Sequence, residues 1–458
     1  MKITSDFYLS SLTQKKFNFA FRWNVFGSIA FESLKIFYHI FLIKILTSNQ
    51  FGLMGAIYSI AYFSIYFSDF AATTSLPPFL SYLTESKNNF KKLFTFYFFP
   101  QIPLLILAAI IATFFYQKSI FYQPTSPFLL TLPLLIFIEG IRIFFRTFLH
   151  YIFYSRQVII YETIFTVLYY LLILFLYFFN FQITLNTIFI PFLINSAIAV
   201  FTFILFVFQF YNTLPELEEK LPSKIYKRIL KTRLFAFPNQ IIKTFFTGNF
   251  LTPIFAMRIG IPQAGILKFA SLIADSAKAV IKAAISFSGN ALLATTKKST
   301  LEIKKEVFNL LSRKLNNLMY CILIFLIINY KNLLGLKVSL DHVAQTAISF
   351  SFVFLMIVLA EHFFIVYEQF YTLEEKPQKF LFFKLFEFAL FYLFVLTKST
   401  TPIITLLSII FIQVLSFLIL SIHAHYKWKI KPTFKSRPLY ILFDVVIALI
   451  FWTVLKII

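Results

Sequence analysis

Residues 50–83 read QFGLMGAIYSIAYFSIYFSDFAATTSLPPFLSYL, and residues 263–296 read QAGILKFASLIADSAKAVIKAAISFSGNALLATT. A constant shift of 213 lays one on the other. Gln50 then meets Gln263, Gly52 meets Gly265, Leu53 meets Ile266 and Leu80 meets Leu293, and further on Lys91-Lys92 meet Lys304-Lys305. In each copy a short turn, Asn49-Gln50-Phe51-Gly52 or Pro262-Gln263-Ala264-Gly265, leads into a long apolar helix that runs to a basic loop. Matched loop lengths and matched lysines at one period are the mark of a duplicated unit.

Outward from this pair, apolar runs bounded by Pro, Asn, Lys and Glu place spans near 17–46, 51–83, 90–116, 128–153, 158–180 and 186–211. After a charged loop, further spans fall near 234–259, 263–294, 310–330, 343–371, 380–397 and 401–422, and an apolar run follows at 439–457. Six spans separate the two copies, so both begin on the same side of the membrane and the repeat is parallel. The expected fold is an all-α polytopic membrane protein of 12 to 13 transmembrane helices. It forms two six-helix bundles, related by a pseudo-two-fold axis along the membrane normal, around a central cavity. The expected units are residues 1–211 (first bundle), 212–233 (cytoplasmic linker), 234–422 (second bundle) and 423–458 (basic loop and extra helix). The run 439–457 holds Asp444 and reads as a thirteenth span or as a helix lying in the interface.

Composition agrees. Of 458 residues 59% are hydrophobic and 13% charged, with a mean hydropathy of +0.80, whereas soluble proteins carry about 25% charged residues. A soluble fold is excluded. The basic stretch Met1–Lys16 is followed by a long apolar run without a small-residue cleavage site, so it reads as leading an anchor and not a signal peptide. The one cysteine, Cys321, excludes an intrachain disulfide and a Cys-rich metal site. A net charge of +23 would suggest nucleic acid in a soluble protein. Here, with the N-terminus cytoplasmic, the inner loops carry 27 Lys+Arg and the outer loops five. The charge therefore faces anionic lipid headgroups, and no nucleic-acid partner is expected.

Ten Lys+Arg remain inside spans: Arg22, Lys35, Lys44, Arg142, Arg146, Lys243, Arg258, Lys268, Lys278 and Lys282. A charge at the bilayer centre costs about 2.5–3.5 kcal/mol or more, so each needs water, a partner or a ligand. Glu32, Lys35 and His39 share one helical stripe, as do Glu139, Arg142, Arg146 and His150, and Lys268, Asp275, Lys278 and Lys282. Arg22, Lys44, Arg146, Arg258 and Lys268 lie near span ends, where snorkelling accounts for them. Lys35, Lys278 and Lys282 lie deeper and outnumber the acids on their own helices, which predicts a hydrated cavity with a positive surplus suited to an anionic headgroup. Glu32, Asp69, Glu139, Asp275 and Glu361 are the acids expected to pair within the cavity or to couple an ion. No Gly-rich phosphate loop or metal-ligand cluster is present in the sequence, so neither cofactor nor metal is expected.

The segment Leu46-Thr-Ser-Asn-Gln-Phe-Gly-Leu-Met-Gly-Ala, with Tyr58-Ser-Ile, Phe67-Ser-Asp-Phe and Phe79-Leu-Ser, resembles the O-antigen flippase type. That type is the polysaccharide branch of the multidrug/oligosaccharidyl-lipid/polysaccharide exporter superfamily. The family's Asp-Phe-Gly is Asp69-Phe70-Ala71 here. The resemblance implies a flippase, not an enzyme, in the bacterial inner membrane. It would turn an undecaprenyl-pyrophosphate-linked oligosaccharide across the bilayer by alternating access, alongside other polysaccharide-assembly proteins. It places Arg22, Lys35, Lys243, Lys278 and Lys282 on the pyrophosphate and implies coupling to a proton or sodium gradient. Two rival readings stand beside it. A multidrug or cation antiporter of the same superfamily would want an acidic, aromatic cavity. A membrane-embedded polysaccharide polymerase or ligase would want a large outer loop, and the longest here are only Gln117 to Pro127 and Lys331 to His342.

Overall fold

The structure is a computed structural model. It describes residues 11–119, 121–122, 128–217, 221–222, 224–245, 247, 250–253, 257, 260–295, 301–335, 357, 365–372, 374, 376–393 and 402–428. Glu361 and the run 439–457 lie outside the described residues. All regular structure among the described residues is helical.

The first half holds α1 (Ser11–Ile45), α2 (Ser48–Ser68), the short α3 (Ala72–Ser75) and α4 (Leu80–Leu83), α5 (Lys87–Phe98), α6 (Gln101–Lys118), α7 (Phe128–Tyr151), α8 (Ser155–Phe178) and α9 (Leu185–Thr213). Six stretches here are long and apolar enough to cross a bilayer: Phe17–Ile45, Ser48–Ser68, Lys87–Lys118, Phe128–Tyr151, Ser155–Phe178 and Leu185–Thr213. Their exposed faces are greasy. Along α9, Ile194, Ile198, Phe201, Leu205 and Phe208 all point out of the protein, which suits a solvent of lipid chains. The protein is thus a multi-pass membrane protein with the two-bundle, 12-helix architecture expected from the repeat. The second half is described by α10 (Ile225–Phe245), α11 (Ile261–Ile281), α12 (Ser288–Thr295), α13 (Leu301–Gly335), a helical stretch at 365–372, α14 (Pro377–Phe391) and α15 (Pro402–Trp428).

The repeated helices α2 and α11 pack against each other and form the seam between the halves. A Cβ on Gly52 would fall 2.2 Å from the carbonyl oxygen of Ile261, and one on Gly265 would fall 3.1 Å from the Cα of Gly52. Positions equated by the repeat therefore touch, as equivalent residues do beside a two-fold axis. Gly55 and Lys268, again 213 apart, are also neighbours: a Cβ on Gly55 would meet the lysine Cγ at 3.0 Å.

The expected single helix over 51–83 is interrupted. After Ser68 the chain turns through left-handed Phe70 (φ 44°) and Ala71 (φ 54°), then α3, a 3₁₀ turn at Pro77–Phe79 and α4. Pro77 and Pro78 have no N–H to continue an α-helix. Side chains bond the carbonyls at the corner: Gln240 Nε2 donates to Tyr66 O (3.1 Å), Arg233 Nε to Phe70 O (3.2 Å), and Gln101 Nε2 to Asp69 O (2.9 Å), which also accepts from Ala72 N (2.8 Å). Asp69 accepts from Thr73 Oγ1 (2.9 Å) and Gln240 Nε2 (3.3 Å). Irregular backbone at membrane depth persists only with such partners. At the matching place in α11 the helix also departs from α geometry, here as a π-helical stretch, Lys282–Phe287.

Candidate functional site: a cavity between the two halves

A cavity of about 520 Å³ opens between the halves, level with the middle of α1 and α2. The two halves touch at both of its ends. At one end are Gly52 and Gly265. At the other, the His150 ring stacks on Phe287 with centroids 4.3 Å apart, and Asn24 Nδ2 donates to Ser288 Oγ at 2.8 Å.

Lys35, Lys243, Lys278 and Lys282 all line this cavity, as do Glu32, Asp69 and Asp275. The stripes of α1 and α11 bring Glu32 and Lys35 together with Asp275, Lys278 and Lys282, while Lys243 and Asp69, which stand on none of the three stripes, join them from α10 and the end of α2. Arg22 is not among them. It lies toward the start of α1, exposed and near Lys314, the position of a snorkelling end charge and not of a cavity wall. Glu139 is fully buried behind the wall. Arg142 grips it with two 2.8 Å bonds, and Tyr62 Oη donates to it at 3.4 Å.

The predicted positive surplus is much smaller than the helix-by-helix count suggested. Lys35 pairs with Glu32 at 2.8 Å, and Arg142 and Arg146 reach Glu162 at 3.1 and 2.9 Å. Lys243 pairs with Glu368. Partners for three of these cations come from other helices, which a count along one helix cannot see. Lys282 makes no ion pair among the described residues; its ammonium lies 5.8 Å from the centroid of the Tyr66 ring.

The imbalance that remains is spatial. The wall from the second half carries Lys243, Lys268, Lys278 and Lys282 against Asp275 and Glu368, and no tyrosine. The wall from the first half carries a matched set of charges and many tyrosines, with Tyr58, Tyr62 and Tyr66 at i, i+4 and i+8 on α2, Tyr38 on α1 and Tyr169-Tyr170 on α8. Tyr38 and Tyr170 are stacked at 4.0 Å, and the Tyr38 and Tyr169 hydroxyls are 2.8 Å apart. Sequence reading missed these tyrosines, although their spacing of four on α2 was a legible signal. Among the described residues no group of three or more His, Cys, Asp or Glu is placed to hold a metal ion.

Comparison with solved structures places this arrangement. A eukaryotic MATE transporter superposes with a TM-score of 0.65 at 10% identity, covering 95% of this chain and 99% of that one. A multidrug resistance MATE family transporter of the MOP superfamily, in an outward-facing conformation, gives 0.63 at 10% identity over 97% of both chains. The fold is that of the MATE transporters. A MOP superfamily transporter from Pyrococcus furiosus, described as having a binding pocket of reverse polarity that suggests a different function, gives 0.50 at 11% identity over 91% and 96%. No family model matches the chain. No curated protein matches it.

Proposed function

We propose that the protein is a transporter that carries an organic solute across the bilayer by alternating access, with no chemical bond made or broken. The observation that supports this best is the charged cavity held at mid-depth between two pseudo-symmetric halves that touch at both of its ends. A hydrated site inside apolar helices serves a solute that hydrocarbon excludes. The two seam helices depart from α geometry at the same repeat position, beside Asp69 and Lys282, and such departures are where halves of this kind bend.

The fold favours export of the multidrug type, since the neighbours so described span nearly the whole chain. Reverse polarity in one relative indicates that the fold also serves other cargo. A second reading, a flippase for an undecaprenyl-pyrophosphate-linked oligosaccharide, is favoured by the lysines of the second-half wall. On either reading the membrane is the bacterial inner membrane with the N-terminus cytoplasmic, the orientation in which the sequence assigns 27 loop cations to the inner side and five to the outer. A proton or sodium gradient supplies the energy.

In a Cys321→Ser background, His150→Cys and Phe287→Cys together allow the halves to be cross-linked at one end. Cross-linking is expected to stop cargo movement and reduction to restore it. Transport that survives complete cross-linking would refute alternating access. Dye efflux and rescue of a strain lacking a lipid-linked oligosaccharide flippase separate the two cargo readings.

A further inference from the structure

Away from the seam cavity, the end of the protein where α1 begins brings together cations of both halves. Arg22 on α1 is exposed, and Lys314 on α13 stands close enough for the two charges to repel. Neither forms an ion pair among the described residues. The Lys314 ammonium lies 4.6 Å from the centroid of the Phe21 ring and 5.9 Å from that of Phe17. Ring faces hold an ammonium in place without neutralising it. On the other flank of α1, the Arg156 guanidinium lies 5.5 Å from the centroid of the Trp23 ring.

The surroundings say what kind of anion fits. α1, α8 and α13 hold the first, fifth and ninth expected spans, so Arg22, Arg156 and Lys314 share one side of the membrane, each within about two turns of where its span starts. That is the height of headgroup phosphates, and tryptophan is a residue type that settles there. On the same face of α1 as Arg22, at i+4 and i+7, Phe26 and Ile29 are 69% and 45% exposed. A phosphate over Arg22 therefore continues into acyl chains along a lipid-facing stripe, which a soluble phosphate would leave unused. The two cations also belong to different halves. Phe17 of α1 is fully buried in the core of the second half, with Phe308, Leu311 and Leu315 of α13. The start of α1 thus crosses the seam, and the packing that joins the halves here presses like charges together.

We propose that an anionic phospholipid seats its phosphate between Arg22 and Lys314 and clasps α1 to α13, holding the halves together at this end. The inference goes beyond the transport reading: this lipid is a resident of the bilayer and not cargo, and its seat lies outside the cavity. A phosphodiester accepts from both cations at once and removes the repulsion that otherwise opposes the contact. Basic pockets between transmembrane helices suit anionic headgroups in general. A zwitterionic lipid fits less well, because its own cation would sit beside Arg22 and Lys314.

The test places the full chain in phosphatidylcholine nanodiscs, with Trp428→Phe and Trp452→Phe leaving Trp23 as the one tryptophan. Phosphatidylglycerol with brominated chains should quench Trp23 more strongly than brominated phosphatidylcholine at the same fraction. Arg22→Gln with Lys314→Gln should weaken that preference about fivefold or more. Lys91→Gln with Lys92→Gln, which removes the same charge from α5, should leave it unchanged. Arg22→Lys with Lys314→Arg should keep it, which separates lost charge from lost fold, and glycerol 1-phosphate should not displace the lipid. In the Cys321→Ser background, phosphatidylglycerol should also raise disulfide formation between His150→Cys and Phe287→Cys, and should cease to do so once Arg22 and Lys314 are both Gln. The proposal is overturned if both brominated lipids quench alike, if the Lys91 and Lys92 variant loses as much as the Arg22 and Lys314 variant, if glycerol 1-phosphate displaces the lipid, or if phosphatidylglycerol leaves disulfide formation unchanged. None of these outcomes bears on the transport reading, which stands or falls on cargo movement after cross-linking.

Discussion

Asp69 and Lys282 stand 213 positions apart, the shift that aligns the repeat, and both line the cavity, yet the protein holds them differently. Asp69 is fixed by Thr73 and Gln240 at a corner where α2 stops. Lys282 begins a π-helical stretch through which α11 continues, and among described residues only an aromatic ring faces its charge. The same opposition runs along the repeat, where Gly55 and Ile65 on α2 have Lys268 and Lys278 as their mates on α11. Once a duplicated helix pair has met at its glycines, one copy is free to become scaffold while the other gathers charge. A symmetric fold can thereby enclose an asymmetric site.

This contrast between committed and available charge can be broken by substitution. The largest effect is expected from Arg142→Met, which strands fully buried Glu139 with only Tyr62 to bond it. Breaking a buried pair from one side costs about 3–5 kcal/mol, readable as lost thermal stability in detergent. Gly52→Ala should follow. Its new methyl meets a backbone oxygen at 2.2 Å that cannot swing away, so the seam must shift at a cost of about 1–3 kcal/mol. Asp69→Ala, which removes the acceptor of Thr73 Oγ1 and one of the two acceptors of Gln240 Nε2, should cost about 1–3 kcal/mol by the same assay. Lys282→Ala should change stability by about 0.5 kcal/mol or less, and a loss as large as that of Asp69→Ala would erase the distinction between the two mates. The smallest effect belongs to the exposed pair Lys87 and Glu216, 2.7 Å apart. The lysine bond holds the Glu216 carboxyl below the usual carboxylate range. Its contribution is therefore present above the unfolded-state pKa and lost as pH falls through the folded-state one. In full solvent, Lys87→Ala should leave the unfolding midpoint unchanged at neutral pH.

Much of this arrangement was legible in the chain. Periodicity along single helices located the spans, and stripes such as Lys268, Asp275, Lys278 and Lys282 pointed at the seam because an ionised group has nowhere else to face. Pairing across helices was not legible. Glu162 and Glu368 stand on other helices than Arg146 and Lys243, so no count along one helix pairs them, yet in three dimensions they do pair. The corner at Phe70 was signalled only by Pro77-Pro78, several residues on. Its partners Gln101, Gln240 and Arg233 carry no pattern of their own, since what they satisfy is backbone that became unpaired only in three dimensions. The π-helical stretch likewise has no signature in composition or period.

That corner has a consequence for how the two halves are joined. Three carbonyls of the α2 break are capped by side chains, and two of the caps, Gln240 and Arg233, belong to α10 in the other half. Moving α10 off this corner would take the side-chain donors from Tyr66 O and Phe70 O, a cost that falls on any carbonyl left buried without a partner. The junction at Tyr66 to Phe70 therefore rivets α10 to the end of α2 through main-chain oxygens, not through side-chain packing alone.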